Sequence, residues 1–273
     1  MAKVWFVTGS SRGLGLALVE IILRSGDIVV ATARKTDSLQ HLVDKYGPDR
    51  VLAVSLDVTN NEQVVDAVDE TIKTFGRIDV VVNNAGYADF AAIEDMSLDS
   101  FHAQLDVNFF GVVYVTKAIV PVMRKQGSGH IIQVSSIGGR ITAPGYSAYQ
   151  SAKWALGGFS SCLSQEVAPF GIKVTVLEPG GMDTDWAATS SKGVGEISEP
   201  YQQTVGAFWD AFSQSKGSWS SPADMADLIW KIPSLSDPPL RLLAGRATVA
   251  HAKMASEALA ASDEKWEHVT KTV

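Results

Sequence analysis

At 273 residues, with 46% hydrophobic and 19% charged side chains, the chain can bury a substantial core in one large α/β domain or two small ones. Its formal net charge of -7 and pI near 5.2 argue against nucleic acid as a general partner, because phosphate binding needs a concentrated basic surface. A single cysteine excludes an internal disulfide framework and suits a reducing compartment.

The first predicted element, a strand over 3–8, starts almost at the initiator and runs straight into a glycine loop, which leaves no room for a signal peptide. No stretch approaches the ~20 apolar residues that cross a bilayer, so a soluble, cytoplasmic protein without a membrane partner is expected. Further apolar runs rich in Val and Ile follow at 27–32, 51–56, 78–82, 130–134, 173–177 and 240–244. Runs of this kind without polar alternation fit strands covered on both faces. Helical patterns at 14–24, 60–75, 98–124 and 148–170 lie between them, near plausible caps and stops at Ser25-Gly26, Thr59-Asn60, Phe75-Gly76, Ser97 and Gly171. The alternation predicts a doubly wound, Rossmann-like parallel sheet in a single α/β domain spanning 1–273.

Beyond Pro179 the texture changes. Residues 183–221 are rich in Ser, Gly, Thr and aromatics, with no strand pattern before 240–244, and read as a cover over a site or as an irregular surface segment. Trp186, Tyr201, Phe208, Trp209, Phe212 and Trp219 supply apolar area there. Residues 222–273 form a C-terminal extension whose alanine-rich stretch 247–270 reads as a helix able to pack on the body or on another subunit. Cys162 reads as a buried small apolar residue rather than a reactive thiol. His41, His102, His130, His251 and His268 are scattered without metal-ligand spacing, so no metal site is expected.

Gly9, Gly13 and Gly15 follow the first strand and open the first helix, where glycines allow a tight turn and close approach of a pyrophosphate to backbone N–H groups. Their spacing differs from the general G-x-G-x-x-G fingerprint, and the placement between strand and helix carries the nucleotide reading. At the end of the second strand, where an acidic residue normally meets a free ribose 2′-hydroxyl, Ala33 and Arg34 stand instead. Arg34 and Arg12 offer a cationic fork suited to a 2′-phosphate, so NADP(H) is expected over NAD(H); Asp37 is the rival that would reverse the preference.

Tyr149 and Lys153 lie four residues apart, thirteen residues after Ser136. On a helix over 147–168 they share a face, and a neighbouring ammonium favours the phenolate. A tyrosine so placed can exchange a proton with an alcohol or a carbonyl.

Together these residues resemble the short-chain dehydrogenase/reductase family in its compact single-domain branch. The resemblance rests on the run Thr8-Gly9-Ser10-Ser11-Arg12-Gly13-Leu14-Gly15, on Asp57, on Asn83-Asn84-Ala85-Gly86, on Asn108, on Ser136, on Tyr149-x-x-x-Lys153 and on Pro179-Gly180 with Thr184. It covers 1–185 and is loose beyond. It implies a catalytic set in which Tyr149 is the acid/base and Lys153 lowers its pKa while binding the nicotinamide ribose. Ser136 would bond the substrate oxygen, and Asn108 would hold a water linking Lys153 to solvent. The glycine loop, with Ser11 and Leu14, would cradle the pyrophosphate. Asp57 would meet the adenine amino group, Asn84, Ala85 and Gly86 would line the adenosine ribose, and Pro179, Gly180 and Thr184 would contact the nicotinamide. Ala152 and Glu178 are small local departures, the latter a carboxylate near the nicotinamide end or pointing into solvent.

The expected activity is hydride transfer between the nicotinamide of NADP(H) and a hydrophobic ketone or secondary alcohol. Its pocket is expected from Tyr87 and Asp89, from the loop 137–147 with Arg140 and Tyr146, and from the aromatic stretch beginning at Trp186. Arg140 reads as a surface residue or as a partner for an acidic group. The readings of another class are a non-catalytic NADP-binding regulator and an epimerase or lyase on the same fold. The resemblance also implies a homodimer or homotetramer built on helices 98–125 and 147–168, where Phe109, Phe110, Val113, Leu156, Phe159 and Leu163 either offer apolar surface or are wholly internal.

Overall fold

The computed structural model describes residues 2–183, 197–214 and 219–273. Its strands are β1 (Val4–Val7), β2 (Ile28–Ala33), β3 (Val51–Ser55), β4 (Val80–Asn83), β5 (Gly129–Val134), β6 (Ile172–Pro179) and β7 (Arg241–Ala244). They pair in parallel in the order β3-β2-β1-β4-β5-β6-β7. All residues of β1 and β4 are buried, which is why these strands carry no polar alternation.

The helices are α1 (Gly13–Arg24), α2 (Gln40–Tyr46), α3 (Asn61–Phe75), α4 (Leu98–Leu105), α5 (Gly111–Gln126), α6 (Ser147–Val167), α7 (Ala207–Gln214), α8 (Pro222–Lys231) and α9 (Arg246–Thr270). Local chemistry sets several of their ends. The Asn60 side chain accepts from the N–H groups of Glu62 and Gln63 to start α3, and Gly76 stops it in the left-handed conformation. Ser97 caps α4 and Ser221 caps α8, each by accepting an N–H three residues on.

On one sheet face Leu18 and Ile22 of α1 and Met225 and Ile229 of α8 pack over Val7, Val29 and Val82. On the other, Val64 of α3, Val115, Ile119 and Met123 of α5, and Leu163 and Val167 of α6 cover Phe6, Val30 and Ile131. This is a doubly wound, Rossmann-like single domain. The sheet order reverses between β1 and β4, and a cleft opens at the carboxyl ends of the strands there, where ligands bind in such folds.

The structure corrects several expectations. A short 3₁₀ turn at Asp37–Leu39 and helix α2 occupy the stretch between β2 and β3, where no helix is expected from the sequence. Helices α7 and α8 occupy part of the segment after Pro179, and α8 becomes a full layer element against α1 because its apolar residues meet a partner only in three dimensions. The helical run Leu98–Gln126 is, by length and composition alone, apolar enough to cross a bilayer, but its inner face is spent on the sheet. Within it, Asp106–Phe110 is a π-helical turn. Leu156 and Leu163 are internal, so they offer no surface to another subunit, whereas Phe110 stays exposed. Cys162 is exposed on α6 rather than buried. Only Thr248 and Ala252 of α9 are buried, so most of that helix stands in solvent.

Candidate active site

Between β1 and α1 the backbone turns at Gly9 (φ 70°) and Gly13 (φ 55°), both in the left-handed region that favours glycine. A Cβ on Gly15 would stand 2.2 Å from the Gly9 carbonyl oxygen, so the loop closes only with glycine there. Helix α1 begins without a side-chain cap, which leaves its first N–H groups and its positive end directed at the loop. The Asn84 amide donates to the carbonyls of Thr8 (2.9 Å) and Gly9 (3.2 Å), and the Thr8 hydroxyl accepts from the N–H groups of Asn84 and Ala85. The Asn84 side chain therefore braces the glycine loop, and its neighbours Ala85 and Gly86 face the cleft.

A cavity of about 660 Å³ runs along these strand ends. At one end it is lined by Ser11, Arg12, Gly13, Leu14, Arg34, Asp57 and Val58, and at the other by Ser136, Tyr149, Lys153, Pro179 and Gly180. Both arginines are exposed, while Asp37, in the short turn beyond β2, is not among the lining residues. Asp57 is half-buried and accepts from the N–H and hydroxyl of Thr59. The size, the glycine cradle that a Cβ would fill and the cationic end together fit a dinucleotide.

Helix α6 carries Tyr149 and Lys153 to the other end. The Tyr149 hydroxyl shares a hydrogen bond with Ser136, whose Oγ also accepts from the Gly138 N–H at 3.0 Å. Lys153 is 4% exposed, donates to the Val134 carbonyl at 2.9 Å, and its ammonium lies 5.5 Å from the Tyr149 ring centre. Burial brings Lys153 down to about 8. Burial also pushes Tyr149 up to about 12, against the lowering effect of the Ser136 bond. The expectation that Lys153 pulls the phenol towards neutrality is thus outweighed here by desolvation. Asn108 sits in the π-helical turn, fully buried; its amide donates to the carbonyls of Tyr87 and Gln104, and its Oδ1 has no partner. A Cβ on Gly86 would stand 2.7 Å from that Oδ1 and 3.8 Å from the Lys153 ammonium, so these groups converge on one small polar spot.

The substrate-side expectations divide. Tyr87 lines the cavity; burial is the main cause of its raised pKa, followed by the charges of Asp89 and Asp106, with Arg34 acting against them. Asp89 turns to α4, accepting from the Ser100 hydroxyl at 2.8 Å. Tyr146 does not line the cavity: it is 6% exposed and packs behind Tyr149 among Phe90, Phe208 and Phe212. Phe212 and Trp219, with ring centres 5.2 Å apart, do line the cavity. Thr184 and Trp186 lie outside the described residues.

Glu178 neither meets solvent nor faces the cleft. It is fully buried, with Arg140 on one carboxylate oxygen (2.6 Å) and Arg241 on the other (2.6 Å). Arg241 escapes a sequence reading because 63 residues separate it from Glu178. Among the described residues no group of three or more His, Cys, Asp or Glu could hold a metal ion.

A family model for the short chain dehydrogenases matches residues 3–195. The curated relative oxidoreductase BOA17 of Botryotinia fuckeliana is 58% identical, covering 99% of this chain and 98% of its own. A crystal structure of a short-chain dehydrogenase from Streptomyces avermitilis superimposes with a TM-score of 0.89 at 36% identity, over 100% of this chain and 98% of that one. A short chain dehydrogenase from Burkholderia cenocepacia in complex with NADP gives 0.76 at 26% identity, over 97% of each chain. A Burkholderia phymatum structure in complex with NAD gives 0.83 at 22% identity, over 96% and 95%, a likeness of fold.

Proposed function

The chain belongs to the short-chain dehydrogenase family, and on that premise we propose that it is an NADP(H)-dependent oxidoreductase that interconverts a hydrophobic ketone and its secondary alcohol, with Tyr149 as acid/base. The observation that carries this reading is one cavity with Arg12 and Arg34 at one end and the bonded pair Ser136 and Tyr149, beside buried Lys153, at the other. A dinucleotide held in this cavity would supply or accept the hydride. Tyr149 gives its proton to the carbonyl oxygen in reduction and takes it back in oxidation, while Ser136 offers a hydrogen bond where the oxyanion develops. Lys153, held by Val134, would bond the nicotinamide ribose with its remaining donors, and the partnerless Oδ1 of Asn108 fits a water that passes protons outward.

Arg34 and Arg12 would hold a 2′-phosphate, the loop from Gly9 to Gly15 the pyrophosphate, and Pro179 and Gly180 the nicotinamide. Phe212 and Trp219 support an apolar substrate face, and the stretch 183–221 is proposed as its cover. A homodimer or homotetramer through the exposed face of the Asp106–Phe110 turn and α6, where Phe110 and Trp154 are 41% and 43% exposed, and a cytoplasmic location belong to the same proposal. The test is loss of NADPH absorbance with a panel of aromatic, steroid-like and polyketide-like ketones. Turnover with NADH but not NADPH removes the cofactor assignment, and tight NADPH binding without any turnover favours a redox-sensing regulator.

A further inference from the structure

The turn that leaves β5 carries Ser136 and ends at Arg140. It is closed by Gly138 N–H to Ser136 Oγ, by Gly139 N–H to the Ser136 carbonyl and by Arg140 N–H to the Ile137 carbonyl. From outside it is gripped by one carboxylate. Glu178 Oε2 takes Arg140 through Nε (2.7 Å) and Nη2 (2.6 Å), and Oε1 takes Arg241 through Nε (2.8 Å) and Nη2 (2.6 Å). The second guanidinium also reaches the Gly139 carbonyl at 3.4 Å. On its far side the turn meets α6, where a Cβ on Gly139 would stand 3.0 Å from the Lys153 carbonyl oxygen. Thus the turn after β5, the carboxyl end of β6 and the first residue of β7 are tied together beside Ser136.

A fully buried carboxylate is a costly way to join strand ends, and apolar residues of similar volume usually serve stability as well or better. What two planar guanidinium forks add is direction, because each fixes an angle as well as a distance. Taking the oxidoreductase reading above as its basis, we infer that Arg140, Glu178 and Arg241 are positioning residues for Ser136. The carboxylate and its two guanidinium groups hold the turn so that the Ser136 hydroxyl meets Tyr149. None of the three lines the cavity, so their effect passes through Ser136.

The experiment compares Arg140→Lys and Glu178→Gln with wild type, each checked by thermal melting to be folded at the assay temperature. With NADPH and an accepted ketone, kcat is expected to fall ~10–100-fold, as for a small misplacement of a catalytic donor, with KM for NADPH nearly unchanged. In a Ser136→Ala background, Arg140→Lys is expected to cost less than ~2-fold more, since both changes remove one interaction. Multiplying penalties, or an unchanged kcat in the single variants, overturn the inference. A readout independent of turnover is the ¹³Cζ resonance of Tyr149, identified by its loss in Tyr149→Phe. Its position in Arg140→Lys should match that in Ser136→Ala, and an unmoved signal overturns the inference. An enzyme inert to every ketone but with that signal moved fails only the oxidoreductase reading.

Discussion

The Lys153 ammonium lies 5.5 Å from the Tyr149 ring centre while donating a hydrogen bond to the Val134 carbonyl. The two side chains share a face of α6, yet the lysine is anchored to β5 and not to the phenol oxygen. The hydroxyl is instead bonded to Ser136. Proton chemistry at this site therefore depends on three separate elements: the α6 face, the end of β5 and the turn that follows it.

Tyr149→Phe removes only a hydroxyl from a half-buried ring. Carbonyl reduction is expected to fall by at least ~10²-fold, the usual contribution of a placed acid/base, with NADPH affinity within about threefold of wild type by fluorescence titration. Retention of most turnover would remove Tyr149 from its role.

The pH dependence follows from two groups. Tyr149, pushed up to about 12, remains protonated throughout the neutral and mildly alkaline range, so it does not limit reduction there. Lys153, brought down to about 8, loses its charge above that value. Ketone reduction is thus expected to stay level from pH 6 to about 8 and decline above, while alcohol oxidation, which needs the deprotonated base, climbs with pH. Initial rates in both directions check this, and reduction that rises above pH 8 contradicts it.

Arg34→Ala withdraws a guanidinium from the cationic end of the cavity. A charged hydrogen bond of ~1.5–3 kcal/mol corresponds to a rise of roughly 10–100-fold in KM for NADPH, with little change for NADH. Unchanged discrimination between the two cofactors would strike Arg34 from the argument.

His130 on β5 is 4% exposed, with Nε2 at 2.9 Å from the Thr175 hydroxyl, and burial lowers its pKa to about 4. Because the folded value lies below the unfolded value near 6.5, its contribution is intact above 6.5 and is lost as pH falls towards 4. The full excursion is about 3 kcal/mol, or roughly 5–10 °C in Tm for a chain of this size. His130→Asn is expected to start less stable at pH 7 but to lose less between pH 7 and 4.5 by scanning calorimetry. Parallel losses in both proteins would dismiss the histidine as a cause.

Much of the frame was legible in the sequence because its causes are local. Val4–Val7 and Val80–Asn83 read as doubly covered strands from their own composition, and Gly9, Gly13 and Gly15 read as a loop before a helix from their place in order. Helix α8 was not legible, since its apolar face acquires meaning only against α1. Tyr146 was expected at the substrate, but the aromatic cluster with Phe90 holds it behind Tyr149. Glu178 was expected near the nicotinamide or in solvent; its real neighbours lie 38 and 63 residues away along the chain.

The succession of strands and helices along the chain, the glycine turn and the i, i+4 pairing of Tyr149 with Lys153 were determined by the sequence alone, because each arises from backbone preference and helical spacing within a few residues. Tertiary structure alone decided the balance of charge: burial sets Tyr149 and Lys153 at about 12 and about 8, and two distant arginines enclose Glu178. Desolvation and long-range ion pairing depend on what surrounds a group in space, and neighbours in sequence do not specify that.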